Sequence, residues 1–170
     1  AGERGPTVRL SRPGRVVAFG RRDLSSPGYS QAVASAREAS FGAMERIAGG
    51  RAAAYSEGTL SLTFTLPDEA PARRTSARFE YSAGICRDAL RNLGVDARVG
   101  EVEGEYCPGA FSVNSRGRTK LVGIGQRMIK GAAHVGCVIA VRDAGLIRQV
   151  LEPVYAAIGL DWNPETVGAI

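Results

Sequence analysis

Residues 119–141, TKLVGIGQRMIKGAAHVGCVIAV, constrain the fold more than any other stretch. They read as a long hairpin of two strands interrupted by glycines, and a chain containing one must build a sheet around it. By strand alternation Gly123 and Gly125 fall on one face. Missing side chains there leave room for a ligand to run along the sheet.

The rest of the chain supplies strands and helices to either side. GRVVAFG (14–20) reads as a buried strand, and Ser26 with Pro27 signals the start of an Ala-rich helix ending near Gly42. MERIAGGRAAAY (44–55), broken at Gly49 and Gly50, and TLSLTFTL (59–66), alternating Leu60, Leu62, Phe64 and Leu66, look like adjacent strands. LPDEAPARRTSA (66–77) is a surface loop. Ile85, Cys86, Ala89, Leu90 and Leu93 form a helical stripe that stops at Gly94. VDARVG and FSVNSR add two strands before the long hairpin. A last helical stripe runs from Leu146 to Ile158 and is expected to break or restart at Pro153, where the missing N–H is tolerated only in a first turn. The fold class is α/β of the mixed kind: a sheet of hairpin-connected strands flanked by helices. A chain of 170 residues suits one domain spanning 1–170.

Charge and composition narrow the function. No stretch has the apolar length of a membrane span, and the opening AGERGPT shows no secretory pattern, so neither a membrane nor export is expected and the cytoplasm is the default. The net charge of +5 favours an acidic partner. Scattered arginines and an aromatic fraction of 6% argue against a nucleic acid. Of the 22 basic residues only Lys120 and Lys130 are lysines, and against such a bias a retained lysine marks a place where an amine is useful. Three widely spaced cysteines and a single histidine make neither a disulfide framework nor a metal cluster.

Three segments carry candidate chemistry. In RIAGGRAAAY (46–55), two glycines let the backbone approach a ligand, and Arg46 and Arg51 can neutralise a carboxylate or phosphate; alone, the Gly-Gly pair reads more readily as a tight turn or bulge in a sheet. In GEYCPGAFSVN (104–114), Pro108 and Gly109 hold Cys107 on a loop, whereas Cys86 and Cys137 sit on apolar stripes and read as small core residues. The hairpin contributes Lys120, Gln126, Arg127 and His134; the histidine lies in an apolar strand and suits binding rather than base catalysis.

Together, RxxGGR, EYCPG and KLVGIGQR followed by HVG resemble the biotin/lipoate protein ligase superfamily, and most closely the cysteine-dependent octanoyl/lipoyl amidotransferase branch of its lipoate ligases. The resemblance runs from GRVVAFGRRD to PVYAAIGL. It implies a catalytic domain like those of class II aminoacyl-tRNA synthetases and biotin ligases. It also implies that Cys107 carries an acyl thioester and that Lys120 contacts the acyl carbonyl. Arg46, Gly49 and Gly50 would line the acyl slot, with Arg51, Tyr55, Gly123, Gly125, Gln126, His134 and Gly136 completing the substrate site. ATP-using members carry a pattern close to RRxxGGG and a later His-Asp pair. Here Ile47 replaces one Arg, Arg51 the third Gly, and Tyr55 and Ser56 the His-Asp, which points away from adenylate chemistry.

The implied activity is transfer of an octanoyl or lipoyl group to the lysine of a lipoyl carrier domain, of the glycine cleavage H protein or 2-oxoacid dehydrogenase E2 kind, with no cofactor. A cation beside Cys107 would favour the thiolate, and Lys120 is the expected one. The first alternative is a lipoate or biotin ligase that uses ATP and Mg²⁺, with Arg46 and Arg51 on phosphate. The second is a non-enzymatic acyl-binding relative.

Overall fold

The computed structural model describes residues 5–170; the first four residues of the opening AGERGPT lie outside the described residues. Among the described residues, nine strands and four helices follow one another as β1 Thr7–Ser11, β2 Val16–Phe19, α1 Arg21–Leu24, α2 Tyr29–Glu38, β3 Gly42–Glu45, β4 Ala53–Tyr55, β5 Thr59–Pro67, α3 Thr75–Asn92, β6 Ala97–Val99, β7 Val113–Ser115, β8 Thr119–Ile129, β9 Ala132–Ala140 and α4 Ala144–Ala157. Short 3-10 turns occupy Pro71–Arg74 and Pro164–Thr166. No described helix is long and apolar enough to cross a membrane.

The hairpin of β8 and β9 is the centre of a six-stranded antiparallel sheet in the order β1-β5-β9-β8-β7-β6. Alternation gives it two distinct faces. Cys137 pairs with Leu62 and Ile124, and Val135 with Phe64 and Gln126. Leu62, Phe64, Ile124, Val135 and Cys137 pack with Ala83, Cys86 and Leu90 of α3 into one core. Full burial of each large apolar side chain there is worth about 1.5–3 kcal/mol. The other face is nearly bare, because Gly125 lies directly opposite Gly136 and Gly123 opposite Val138.

A smaller sheet, β3-β2-β4, combines a parallel pair, β2 with β3, and an antiparallel pair, β2 with β4. The parallel pair requires the crossover that α1 and α2 supply. Val17, Phe19, Ala53 and Ala54 of this sheet meet α2, and Ile147, Val150, Leu151, Val154 and Tyr155 of α4, in a second core.

Several expectations change in detail. The helix after Pro27 begins at Tyr29 and ends at Glu38 rather than near Gly42, which opens β3; Ser26 Oγ donates to Ile158 O at 3.2 Å and ties the segment to the end of α4. Strands β3 and β4 share a sheet but lie on opposite sides of β2, and neither pairs with β5. The 66–77 loop contains a helical turn, and α3 begins within it. Strand β1, which the sequence did not signal, adds an edge beside β5. Pro153 lies inside an unbroken α4. Both Pro153 and Gln149, whose carbonyl loses its partner, are on the exposed face, where water replaces the bond.

Candidate active site

Between the bare face of the large sheet and the 46–50 loop lies a cavity of about 800 Å³, within the range of small-ligand sites. Arg46, Gly49, Gly50, Tyr55, Cys107, Lys120, Gly123, Gly125, Gln126, His134 and Gly136 all line it. Met44, Ile47, Phe79, Phe111, Ile124 and Val138 make much of the remaining wall apolar. Arg51 alone of the expected set stands behind the wall rather than in it.

The glycines serve different ends. Gly125 and Gly136 form the bare floor, and a Cβ at Gly125 would lie 3.3 Å from Gly49 O and 3.4 Å from Ala48 Cβ. Gly50 has φ +107°, and a side chain there would overlap the Arg46 guanidinium and reach within 2.8 Å of Cys107 Sγ. Gly49, by contrast, faces open space.

Cys107 is half-buried on a loop with φ +44°, a left-handed conformation that costs a non-glycine residue about 1–2 kcal/mol. Tertiary hydrogen bonds hold it there. Its N–H donates to Tyr155 Oη at 2.8 Å, and its carbonyl accepts from Lys120 Nζ at 2.8 Å. Tyr155 in turn donates to Ala52 O at 2.9 Å, and burial raises its phenol pKa, so it stays a neutral donor. The sulfur receives the Arg51 N–H at 3.2 Å and Arg46 Nη2 at 3.3 Å. Arg46 Nη2 also donates to Arg51 O. Arg51 is anchored behind the loop by buried Asp23, Nη1 to Oδ1 at 3.3 Å, and Asp23 also caps α1 by accepting the Gly20 N–H at 2.8 Å. Gly20 has to be a glycine, since a Cβ would run into the Gly50 carbonyl.

Lys120 reaches the cavity through a bulge. Asn114 pairs with Lys120 and Val113 with Val122, so Leu121 is an extra residue in β8. Without it, Lys120 would share the α3 face with Val122 and Ile124; the bulge turns it to the side of Gly123 and Gly125. Its ammonium is 2.9 Å from Glu105 Oε1, 3.0 Å from Tyr106 O and 2.8 Å from Cys107 O. All three ammonium protons therefore have acceptors. The sequence reading put this lysine beside the thiol; the structure puts it on the carbonyl of the same residue and gives the thiol Arg46 instead.

Two other expected residues are engaged elsewhere. Gln126 donates to Thr75 O and accepts from Arg78 Nε, both at 3.0 Å, joining β8 to the start of α3. His134 Nδ1 is 3.0 Å from Thr65 Oγ1 on the neighbouring strand. Cys86 and Cys137 are buried, and the hydrogen bond that the Cys137 thiol gives to Cys86, followed by burial, pushes the Cys137 thiol up. Among the described residues no group of His, Cys, Asp and Glu could hold a metal ion. Glu105, Asp23 and Tyr155 were not singled out from the sequence. Glu105 stands in EYCPG two residues before the cysteine and could have been; Tyr155 reads only as part of an apolar stripe.

An octanoyl-[GcvH]:protein N-octanoyltransferase of Anoxybacillus flavithermus is 31% identical over 148 residues, 87% of this chain and 53% of the relative, so the chain spans about half that relative's length. The bi-partite lipoate protein ligase of Thermoplasma acidophilum, studied with its E2 lipoyl domain, superposes with a TM-score of 0.68 at 20% identity, covering 99% of this chain and 63% of that one. A lipoate-protein ligase A bound with ATP gives a TM-score of 0.66 at 17% identity, over 99% and 78%. These solved structures share the fold of the mixed sheet and its helices. Residues 1–156 match the family model described as the lipoyl protein ligase A/B catalytic domain, and the chain belongs to that family.

Proposed function

We propose that this chain transfers an octanoyl or lipoyl group to the lysine of a lipoyl carrier domain through a thioester on Cys107. One observation carries the reading: the Cys107 sulfur stands at the wall of an apolar, glycine-floored cavity and receives two donors, the Arg51 amide and the Arg46 guanidinium. The activity in the Anoxybacillus relative's name supports it.

In the first step the Cys107 thiolate attacks the carbonyl carbon of an acylated carrier lysine, and a tetrahedral intermediate forms. The C–N bond breaks, the lysine amine leaves with a proton taken from solvent, and the acyl group stays on sulfur. In the second, the neutral amine of an acceptor lysine attacks the thioester, the C–S bond breaks, the amine nitrogen gives its proton to solvent, and the thiolate returns to its place beside Arg46. Donors already aimed at the sulfur need no reorganisation as charge moves on and off it. Carriers of the glycine cleavage H protein kind as donor and the E2 kind as acceptor suit this chemistry, and neither step uses a nucleotide or metal.

The ATP-dependent reading is less well supported by the side chains. Arg46 Nη2 serves Arg51 O and the thiol, and Arg51 Nη1 serves Asp23, so a phosphate on either side chain would compete with the contacts that hold Cys107. Intact-protein mass spectrometry after mixing with an octanoylated carrier, without ATP, tests the proposal. A hydroxylamine-labile octanoyl adduct on the wild type, absent from Cys107→Ala, is the expected result. Transfer only with free acid and ATP, undiminished in Cys107→Ser, would overturn it.

A further inference from the structure

We propose that Glu105 is a positioning residue for Cys107, acting through Lys120 and the loop around the thiol; this rests on the acyl-transfer reading above. Its carboxylate is buried and gathers four donors. Oε1 accepts from Lys120 Nζ at 2.9 Å, Ser112 Oγ at 2.5 Å and the Gly109 N–H at 3.3 Å, while Oε2 accepts the Val102 N–H at 3.1 Å. These donors lie on both sides of Cys107 in sequence, so one side chain draws together the ends of the turn that presents the thiol.

The ion pair sets where the ammonium points. With one proton on Glu105, the other two fall on the carbonyls of Tyr106 and Cys107, the peptide groups flanking the reactive residue. Glu105 and Lys120 are both almost fully buried, with side chains 0% and 2% exposed, so water offers the ammonium no substitute anion. The ammonium also stands over the Tyr106 ring, 4.8 Å from its centroid, and on the cavity side Gly123 leaves space, since a Cβ there would be 3.4 Å from Lys120 Cε. Without the carboxylate charge, Lys120 has room to turn into the slot and release the Cys107 carbonyl. The left-handed Cys107 then loses the bond to its carbonyl and keeps the one from its N–H to Tyr155, and the sulfur leaves its register with Arg46 and Arg51.

The test is Glu105→Gln, which keeps the shape and removes the charge. Three quantities are compared with wild type in protein shown to be folded by circular dichroism: the single-turnover rate of Cys107 acylation by an octanoylated carrier, the KM for that carrier, and the pH profile of Cys107 alkylation by iodoacetamide. The expected result is a fall in acylation rate of tenfold or more, a KM unchanged within twofold, and an alkylation profile displaced from wild type. Acylation within twofold of wild type, with an unchanged alkylation profile, would overturn the proposal. If Glu105→Gln does not fold, Ser112→Ala removes a single donor; a several-fold slower acylation at constant KM supports the proposal and an unchanged rate overturns it. If the wild type forms no thioester at all, the acyl-transfer reading fails, and the alkylation profiles still decide whether Glu105 positions the thiol.

Discussion

Lys120 Nζ donates to the main-chain carbonyl of Cys107 at 2.8 Å, so this cation holds the peptide of the proposed nucleophile while Arg46 faces its sulfur. Its loss should be felt first in stability. Lys120→Met leaves Glu105 as a buried charge without its cation, and breaking such a pair typically costs about 3–5 kcal/mol. Urea denaturation should register that loss, and Glu105→Gln combined with Lys120→Met should be more stable than Lys120→Met alone. Equal stability of the single and double variants would mean that the pair is not coupled.

The cation at the sulfur has a separate signature. Arg46→Met removes the guanidinium 3.3 Å from Sγ and leaves the Arg51 N–H as the remaining donor. A cation beside a thiol favours the nucleophilic thiolate, so its loss should slow attack on the acyl carbonyl by about tenfold or more. Rapid-quench measurement of thioester formation should show that decrease in the chemical step, and a wild-type rate would exclude Arg46 from the chemistry.

The glycine floor should set acyl length. Gly136 has ordinary conformational freedom, and a Cβ there meets only Thr63 Cγ2 at 3.9 Å, so Gly136→Val is tolerated by the fold while its methyls enter the slot. The kcat/KM ratio for octanoyl over butyryl carrier should fall by about tenfold or more, the size expected when a few methylenes lose their space. An unchanged ratio would place the acyl chain elsewhere.

Alkaline pH should destabilise the protein. Burial raises the pKa of Tyr55, Tyr106 and Tyr155 above the ordinary value of 10.0. Each phenol therefore keeps its proton longer in the folded state than in the unfolded one. Their contribution is complete below pH 10 and is lost as pH rises above it, by about 1.4 kcal/mol per pH unit for each phenol. Thermal melts from pH 8 to 11 should be flat at first and then fall, and Tyr155→Phe should reduce the slope of the fall.

The sequence by itself determined the long strands at the centre of the large sheet, because each has a period that reports which face is buried: Leu60 to Leu66 on β5 and the alternation of β8 and β9 are local patterns. It also determined that Cys107 could not be a core cysteine, since Pro108 and Gly109 keep it out of a ladder, and that Gly123 and Gly125 left a bare face. Family motifs brought Cys107, Lys120 and Arg46 to one site.

What only the tertiary structure decided were the partnerships among those residues. The bulge at Leu121 reverses the face of Lys120, and alternation counted along β8 alone gives the wrong side. The bond from Arg46 to Cys107 joins residues 61 apart, and that from Cys107 to Tyr155 residues 48 apart. Periodicity records the burial of an element but not which distant atom completes a hydrogen bond. Those choices arise when the two sheets and α4 pack, because every buried donor must then find an acceptor among the groups that packing brings near.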